Sequence, residues 1–182
     1  AILEFGCAHS HLALQLATLG YRVTGIDLQA YPFEHPNLTF HRGNLLTLDR
    51  PSETFDAITA VAVIEHTGRD QDVGRSDIAA GEDDHAVVAR LGTLLKPQGL
   101  LVMTVPYGRR GQAPTFRVYD EDTLAALLMG WHIQDELYLE RHPAGYWVRS
   151  DAVSLARVDS AANQADGPFP VKGAVLLALG KR

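Results

Sequence analysis

A short turn and a distant acid are the first residues in this chain whose types and spacing suggest chemistry. The turn E-F-G-C-A-H-S-H spans residues 4–11, and its small residues Gly6, Ala8 and Ser10 fall at alternate positions. Small side chains let a ligand approach the backbone, and a following helix N-terminus offers unpaired N–H groups. Asp27 lies about 20 residues further on. Dinucleotide-binding α/β folds place a ribose-binding acid at this spacing from the turn. Together these residues predict a site for an adenosine-containing cofactor.

Glu4 and His11 decide between two cofactors of that kind. The dinucleotide fingerprint Gly-x-Gly-x-x-Gly needs a third small residue so that the helix packs closely on the strand, and His11 stands there instead. A carboxylate at Glu4 would repel a pyrophosphate but would attract an ammonium or sulfonium group. The residues therefore favour S-adenosylmethionine over a nicotinamide cofactor. A nicotinamide-dependent oxidoreductase stays as the alternative, because it shares the fold and the ribose-binding acid.

Apolar runs that alternate with helical patterns form the framework that must position these residues. Predicted strands lie at residues 2–5, 21–28, 99–106, 132–140 and 173–180, and residues 37–44 and 55–66 each contain a stretch that favours a further strand. Predicted helices lie at 11–20, 81–96 and 119–130, and predicted loops at 67–80 and 150–172. This alternation predicts an α/β fold with a mainly parallel sheet. Ligands of such sheets bind outside the carboxyl ends of the strands, where the turn and Asp27 fall.

Composition excludes several classes of protein. Of 182 residues, 46% are hydrophobic and 21% charged, which excludes a disordered or fibrous chain. The net charge is −6, whereas proteins that bind nucleic acid by neutralising phosphates usually carry the opposite balance. The single cysteine, Cys7, excludes an intramolecular disulfide and fits a cytoplasmic location. No apolar run reaches the ~18 residues that span a bilayer, so no membrane partner is expected.

Several segments, in the expected order and spacing, resemble the motifs of class I S-adenosylmethionine-dependent methyltransferases. They are residues 2–28, which hold the turn and the second acid, RGNLL (42–46), FDAITAVAVIEHTG (55–68) and LLKPQGLLVMTVPYG (94–108). The resemblance implies an α/β, Rossmann-like three-layer sandwich with a mainly parallel seven-stranded sheet and an antiparallel last strand. Residues 1–182 are expected to form a single methyltransferase domain. The helix that usually precedes the first strand is expected to be missing from it.

The same resemblance implies a methionine-binding part of the cofactor site. Glu4, Gly6 and Ala8 would cradle the methionine moiety of S-adenosylmethionine, with S-adenosylhomocysteine as the product. His9 would lie in the loop beside the cofactor, and a backbone carbonyl near Ala60 would face its amino-acid end. Ala8 stands where the family pattern has a glycine.

The adenosine part of the site is implied in the same way. Asp27 would bind the ribose hydroxyls, and Leu28 would lie against the adenine. Asn44, in a position that usually holds Asp, would bond the adenine amino group, and Leu45 would pack on the ring. Asn44 keeps a hydrogen-bond acceptor there but carries no charge.

Candidate acceptor-side residues follow the fourth and fifth predicted strands. Glu65 and His66 lie at the mouth of the crevice, where either could take a proton from a hydroxyl acceptor, and the alternative is that they position a loop or the cofactor. Tyr107, Arg109 and Arg117 are predicted to bind substrate, since an arginine can hold a carboxylate or phosphate with two hydrogen bonds. Trp147 is a further candidate for the pocket wall.

An acidic run at residues 69–77 and 82–85 raises the question of a metal. A divalent ion there would orient two substrate hydroxyls, but a solvated loop leading into an acidic helix start is favoured by helix electrostatics, so no metal is predicted.

The sequence thus predicts a methyltransferase for a small molecule, with O-methylation of a sugar-like or polyhydroxylated acceptor preferred. Nucleic-acid bases are disfavoured as acceptors because the fourth strand lacks the Asn/Asp-Pro-Pro-aromatic signature of enzymes that methylate them. A homo-oligomer is left open. Besides the oxidoreductase, a non-catalytic methyltransferase-like scaffold remains as an alternative, suggested by the fuller turn and the missing helix.

Overall fold

A computed structural model describes residues 1–68, 83–112, 116–159 and 171–181. Eight strands form one sheet: β1 (Ile2–Phe5), β2 (Val23–Asp27), β3 (Leu38–Arg42), β4 (Phe55–Val61), β5 (Leu95–Pro106), β8 (Trp131–Arg141), β9 (Trp147–Arg149) and β10 (Gly173–Lys181). Two short strands, β6 (Gly111–Gln112) and β7 (Arg117–Val118), form a separate antiparallel ribbon.

The helices are short and begin at identifiable residues. They are α1 (Leu12–Thr18), α2 (Asp84–Leu94), α3 (Glu121–Leu127) and α4 (Ala152–Leu155), with 3-10 turns at Leu45–Thr47 and Ile64–His66. The Asp83 carboxylate accepts from the Ala86 N–H at the start of α2, and Asp120 accepts from Thr123 at the start of α3. Such caps satisfy N–H groups that a helix N-terminus leaves unpaired.

The strand order is β3-β2-β1-β4-β5-β10-β8-β9. β1 to β5 pair in parallel, whereas β10 is antiparallel to both of its neighbours, β5 and β8. The predicted fold class, with its antiparallel last strand, is therefore confirmed. The chain order reverses between β1 and β4, and a reversal of this kind opens a crevice at the carboxyl ends of the strands.

Two hydrophobic cores lie on opposite faces of the sheet. On one face Leu3, Ile26 and Ile58 pack with the apolar side of α2. On the other face Cys7 and Val23 pack with two alanines of α1, Ala13 and Ala17. Because successive strand residues point to opposite faces, the neighbours of Leu3 face α1, and this places Glu4 beneath the helix that follows the turn.

Three details differ from the sequence prediction. The helix predicted at 81–96 ends at Leu94, because the residue before Pro97 is disfavoured in the helical region, and Leu95 already starts β5. The short strand β9 adds an eighth member to the predicted seven-stranded sheet by pairing with the end of β8. The predicted loop 150–172 contains α4, which Asp151 caps by accepting from the Ser154 N–H.

Membrane crossing by a helix finds no support in the described residues, since none of their helices combines the length and the apolar character that a bilayer requires.

Candidate active site

The turn after β1 is held against the segment that follows β4. Gly6 has a φ of +80°, a conformation that favours glycine. A Cβ atom at this position would lie 2.5 Å from Cγ2 of Val63. No side chain larger than hydrogen fits there without a shift, so glycine lets two parts of the crevice meet.

Asp27 joins the end of β2 to the same turn. Its Oδ2 accepts from the Ala8 N–H at 2.9 Å, and its Oδ1 accepts from the Gln29 N–H at 2.7 Å. A carboxylate has about four acceptor positions, so each oxygen keeps room for a further donor such as a ribose hydroxyl. The structure therefore brings together the acid and the turn that the sequence analysis paired.

Glu4 is a buried carboxyl group at the base of the turn. It is 2% exposed, and its Oε2 atom has no hydrogen-bond partner among the described residues. Burial raises the pKa of the Glu4 carboxyl, while hydrogen bonds from Ser10 and from the Ala13 backbone oppose the rise and the negative charge of Asp27 adds to it. A buried carboxylate oxygen without a partner is costly unless a donor or cation meets it. Glu4 therefore fits a cationic group in the crevice.

The other predicted cofactor residues lie along the same edge of the sheet. The Gly43 N–H donates to the backbone oxygen of Asp27, which places Asn44 next to the end of β2. The Oδ1 atom of Asn44 accepts from the Leu46 N–H at 2.8 Å and so caps the 3-10 turn. Leu45 is buried in the main core.

Three further cofactor candidates differ in exposure. His9 is exposed in the turn, whereas Ala60 is fully buried near the end of β4. Leu28 follows Asp27 and is half-buried, and its backbone oxygen accepts from Arg42 Nε at 3.2 Å. The backbone, rather than the side chain, is the predicted contact at Ala60, and its burial is compatible with that.

A cavity of about 640 Å³ lies beside the crevice, where the segment after β4 meets β5, β8, β9 and β10. Its size is within the range of sites for small organic ligands. Ala62 and Glu65 line it, while Val63 between them contacts the turn at Gly6. One short segment after β4 thus separates a candidate cofactor crevice from a candidate acceptor cavity.

Ala62 takes an unusual backbone conformation at the cavity wall. Its φ is +50°, which is uncommon for a residue other than glycine. Its N–H donates to the hydroxyl of Thr104 in β5 at 2.9 Å. Strained residues of this kind often mark functional sites, because the surrounding structure must hold them in place.

Glu65 is the second buried carboxyl group of the region. It is 4% exposed, it lines the cavity, and its Oε2 atom has no hydrogen-bond partner in the described part of the chain. Burial raises the pKa of this carboxyl from 4.5 to about 7. His66 also lines the cavity, but its side chain is 41% exposed and its Nε2 lies 3.9 Å from Glu65 Oε1. Of the two predicted catalytic residues, Glu65 is the more deeply buried.

Tyr107, Arg109 and Arg117 are absent from the described residues that line this cavity. Tyr107 is buried, with its ring 5.1 Å from that of Tyr138, and Arg109 is exposed. Arg117 donates to the backbone oxygen of Thr67 at 2.7 Å. It thereby braces the segment after Glu65, and a direct role of these three residues toward substrate stays a prediction.

Residues that the sequence analysis did not single out complete the cavity wall. Trp147, proposed as an aromatic wall, does line it, and so do Thr104, Phe116 and Arg141. Arg141 and Trp147 face each other across the β8–β9 hairpin. The turn residues Pro143 and Gly145 are a sequence signal from which that hairpin could have been predicted.

A polar cluster joins the first residue of α2 to β7 and to the residue that follows β7. The Tyr119 hydroxyl donates to Asp84 Oδ2 at 2.6 Å in a buried bond, and Arg117 Nε lies 3.7 Å from the same oxygen. Burial and the bond to Asp84 raise the pKa of Tyr119. Within the described ranges no group of three or more His, Cys, Asp or Glu side chains could hold a metal ion. The acidic run at 69–77 lies outside the described residues.

Comparison with known proteins agrees with the class that this fold and crevice define. The family described as a methyltransferase domain matches residues 1–151, so the chain belongs to the class I, Rossmann-like S-adenosylmethionine-dependent methyltransferases. The predicted family is confirmed, and the predicted cofactor, S-adenosylmethionine, is the one that this family uses. A search of curated proteins found no significant match.

Solved structures show the same fold at low sequence identity. A 1,6-didemethyltoxoflavin-N1-methyltransferase from Burkholderia thailandensis, with S-adenosylhomocysteine bound, is similar with a TM-score of 0.61 and 16% identity, over 100% of this chain and 72% of that one. The [4+2]-cyclase SpnF gives 0.64 and 18%, over 99% and 73%. A methyltransferase from Methanosarcina mazei gives 0.62 and 16%, over 99% and 92%.

Proposed function

We propose that this protein transfers a methyl group from S-adenosylmethionine to an oxygen atom of a small molecule bound in the cavity. The observation that carries the proposal is the pair of buried carboxyl groups, Glu4 and Glu65, each with one oxygen that meets no hydrogen-bond partner within the described ranges. One lies in the turn of the crevice and the other in the adjoining cavity. Bound S-adenosylmethionine would supply an electrophilic methyl group on a positively charged sulfur.

Different residues of the crevice would hold different parts of the cofactor. Asp27 would accept the ribose hydroxyls with its remaining lone pairs, and Gly6 would let the ligand approach the backbone. Asn44 would meet the adenine amino group, with Leu28 and Leu45 beside the ring. Glu4 would offset the positive charge of the sulfonium or ammonium group, and Ala8, His9 and Ala60 would line the methionine end.

On the acceptor side, Glu65 would take the proton of the hydroxyl as it is methylated. A base is most effective when its pKa lies near the working pH, and burial places that of Glu65 at about 7. His66 would position Glu65 or share the proton. Alignment of the two reactants supplies a large part of the rate in displacements of this kind, so the cavity walls also contribute.

The sequence also favours a particular kind of acceptor for this reaction. Thr104 and Arg141 give the cavity two polar side chains that a polyhydroxylated or sugar-like acceptor would use. We also propose that Tyr107, Arg109 and Arg117 contact the substrate. The protein would act in the cytoplasm and would have no nucleic-acid partner.

Calorimetric titration with S-adenosylhomocysteine tests the cofactor part directly. Asp27→Ala should weaken binding by about 1–3 kcal/mol, or roughly 10- to 100-fold, because a charged hydrogen-bond acceptor is lost. Asp135→Ala, at an exposed position of β8 that β5 and β10 separate from β4, should leave the affinity unchanged.

Unchanged affinity in Asp27→Ala would remove that residue from the site. A larger rise in melting temperature with NADH than with S-adenosylhomocysteine would support the oxidoreductase alternative instead, since stabilisation by a ligand follows its affinity. Binding of neither ligand would support the non-catalytic scaffold.

A further inference from the structure

The cavity beside Glu65 is walled mainly by apolar side chains. Val105 comes from β5, Leu139 from β8 and Ala174 from β10, and two aromatic side chains, Phe116 and Trp147, complete the wall. These residues belong to five separate segments, so apolar side chains come from several sides of the described lining. A ligand with an apolar ring surface would bury that surface here at roughly 25 cal/mol per Å².

Polar groups in the cavity are few, and one of them is distinctive. Among the described lining residues, only Glu65, His66, Thr104, Arg141 and the indole N–H of Trp147 offer polar side-chain groups. The Thr104 hydroxyl already accepts from Ala62, and the His66 side chain is partly exposed to solvent. Glu65 combines almost complete burial with an oxygen that has no partner. The cavity therefore offers one strong, buried acceptor within apolar walls.

We propose that the acceptor is a phenol, with an apolar aromatic body against the cavity walls and a hydroxyl that donates to Glu65. This inference rests on the proposed methyl transfer to oxygen and replaces its sugar-like acceptor with a phenol. A sugar or other polyol would bury several hydroxyl groups, and each one left without a partner would cost about 1–3 kcal/mol. A phenol carries one hydroxyl to match one buried carboxylate.

The proton balance of the reaction also favours a phenol. The phenol oxygen forms a bond to the methyl carbon, the carbon–sulfur bond breaks with its electron pair going to sulfur, and the phenol proton passes to the Glu65 carboxylate. The sulfonium and carboxylate charges cancel, so the products are a neutral aryl methyl ether, neutral thioether sulfur and a protonated Glu65. A phenol has a pKa of about 10, as tyrosine does, which is within reach of a buried carboxylate base.

Binding of 2-naphthol, naphthalene and glucose to the purified protein tests this inference. Each probe is titrated with and without S-adenosylhomocysteine at about pH 8, where Glu65 is mostly ionised. We expect 2-naphthol to bind at least about 10-fold more tightly than naphthalene, because only the phenol satisfies Glu65, and glucose to bind weakest. Tighter binding of glucose than of 2-naphthol would overturn the inference.

Two alanines of β10 provide a matched pair of variants. Ala174 lines the cavity, whereas Ala178, four residues further along the same strand, does not. Ala174→Leu should fill part of the cavity and lower 2-naphthol affinity about 10-fold or more, while S-adenosylhomocysteine still binds. Ala178→Leu should leave 2-naphthol binding unchanged. Equal effects of the two substitutions would place the phenol elsewhere and overturn the inference.

Glu65→Gln separates proton transfer from binding. The amide keeps a hydrogen-bond acceptor but loses the charge, so 2-naphthol affinity should fall about 3- to 10-fold, while single-turnover methylation of 2-naphthol should fall about 100-fold or more. Unchanged methylation would overturn the role of Glu65. A protein that binds 2-naphthol but not S-adenosylhomocysteine would refute the proposed function and leave only a phenol-binding site, whereas one that binds S-adenosylhomocysteine but not 2-naphthol would refute this inference alone, so the two failures are distinguishable.

Discussion

The proposed cofactor crevice and the proposed acceptor cavity adjoin each other, yet they are built differently. In the crevice, the carboxylate of Asp27 meets backbone N–H groups of Ala8 and Gln29, so the backbone itself fixes its position. In the cavity, side chains from β5, β8, β9 and β10 supply the walls. A backbone-built crevice tolerates changes in most side chains, whereas the cavity changes shape with each substitution. The first arrangement suits a constant cofactor and the second a particular acceptor.

The two buried acids sharpen this contrast. Bonds from Ser10 and from the Ala13 backbone oppose the effect of burial on the pKa of Glu4. At Glu65 only its own backbone N–H does so, and its pKa reaches about 7. Hydrogen-bond donors near Glu4 therefore stabilise its charged form. The carboxyl group of Glu65 has fewer such donors, so it gains or loses a proton near neutral pH.

The largest expected effect comes from the contact that separates the two regions. Gly6→Ala should destabilise the protein by about 3 kcal/mol or more and abolish measurable binding of S-adenosylhomocysteine, because the new Cβ meets Val63 and the positive φ is strained. Gly20→Ala is the matched control: its φ is +93°, but no atom lies within 4 Å of an added Cβ.

Chemical denaturation of both glycine variants, together with calorimetry, measures the difference. The control should lose only about 1–2 kcal/mol, the cost of the backbone strain, and keep its cofactor affinity. Equal losses in the two variants would mean that contact between the turn and the segment after β4 does not matter for the site.

An intermediate effect is expected from the pH dependence of stability at Glu65. Because the native pKa is about 7 and the usual value 4.5, the native protein holds a proton that the unfolded chain has released between these pH values. The stability that this carboxyl contributes is fully present below pH 4.5 and is lost as the pH rises through about 7. Relative to Glu65→Gln, the wild type should lose roughly 3 kcal/mol between these limits.

Denaturation curves at a series of pH values, without ligand, measure this loss. The charged and titratable groups around Glu65 are unchanged in the variant: His66, Asp84, Arg117, Tyr119 and Arg141. Glu34→Gln, at an exposed position, should give a profile parallel to that of the wild type. Parallel profiles for Glu65→Gln would show that its carboxyl does not titrate differently in the folded protein.

The smallest effect concerns the adenine end of the crevice. Asn44→Asp should bind S-adenosylhomocysteine about 3- to 10-fold more tightly, because an ionised acceptor strengthens the bond from the adenine amino group. Stability should change by less than about 0.5 kcal/mol, since the side chain still accepts from Leu46 and caps the 3-10 turn. An analogue with a carbonyl in place of the amino group should bind the variant more weakly than the wild type. The opposite order in calorimetry would place the adenine away from this residue.

The sequence predicted the crevice better than the cavity. Gly6, Asp27 and Glu4 lie in or directly after the first two strands, so a strand-turn-helix pattern was sufficient to place them on one edge of the sheet. Phe116, Leu139 and Trp147 belong to distant segments, and their convergence depends on how β8, β9 and β10 close the sheet. The end of α2 was predicted a little too late, because the apolar pattern continues through Leu95 into β5.

By itself, the sequence determined the order of the main strands and helices, the turn with its two acids and the resemblance to one family of enzymes, because these depend on local spacing. Only the tertiary structure decided that one oxygen of the buried Glu65 has no hydrogen-bond partner among the described residues, that Val63 contacts the turn at Gly6 and that a mainly apolar cavity opens beside them. Burial and unmet hydrogen bonds depend on which distant side chains surround an atom, and that information is in the packing of the whole sheet.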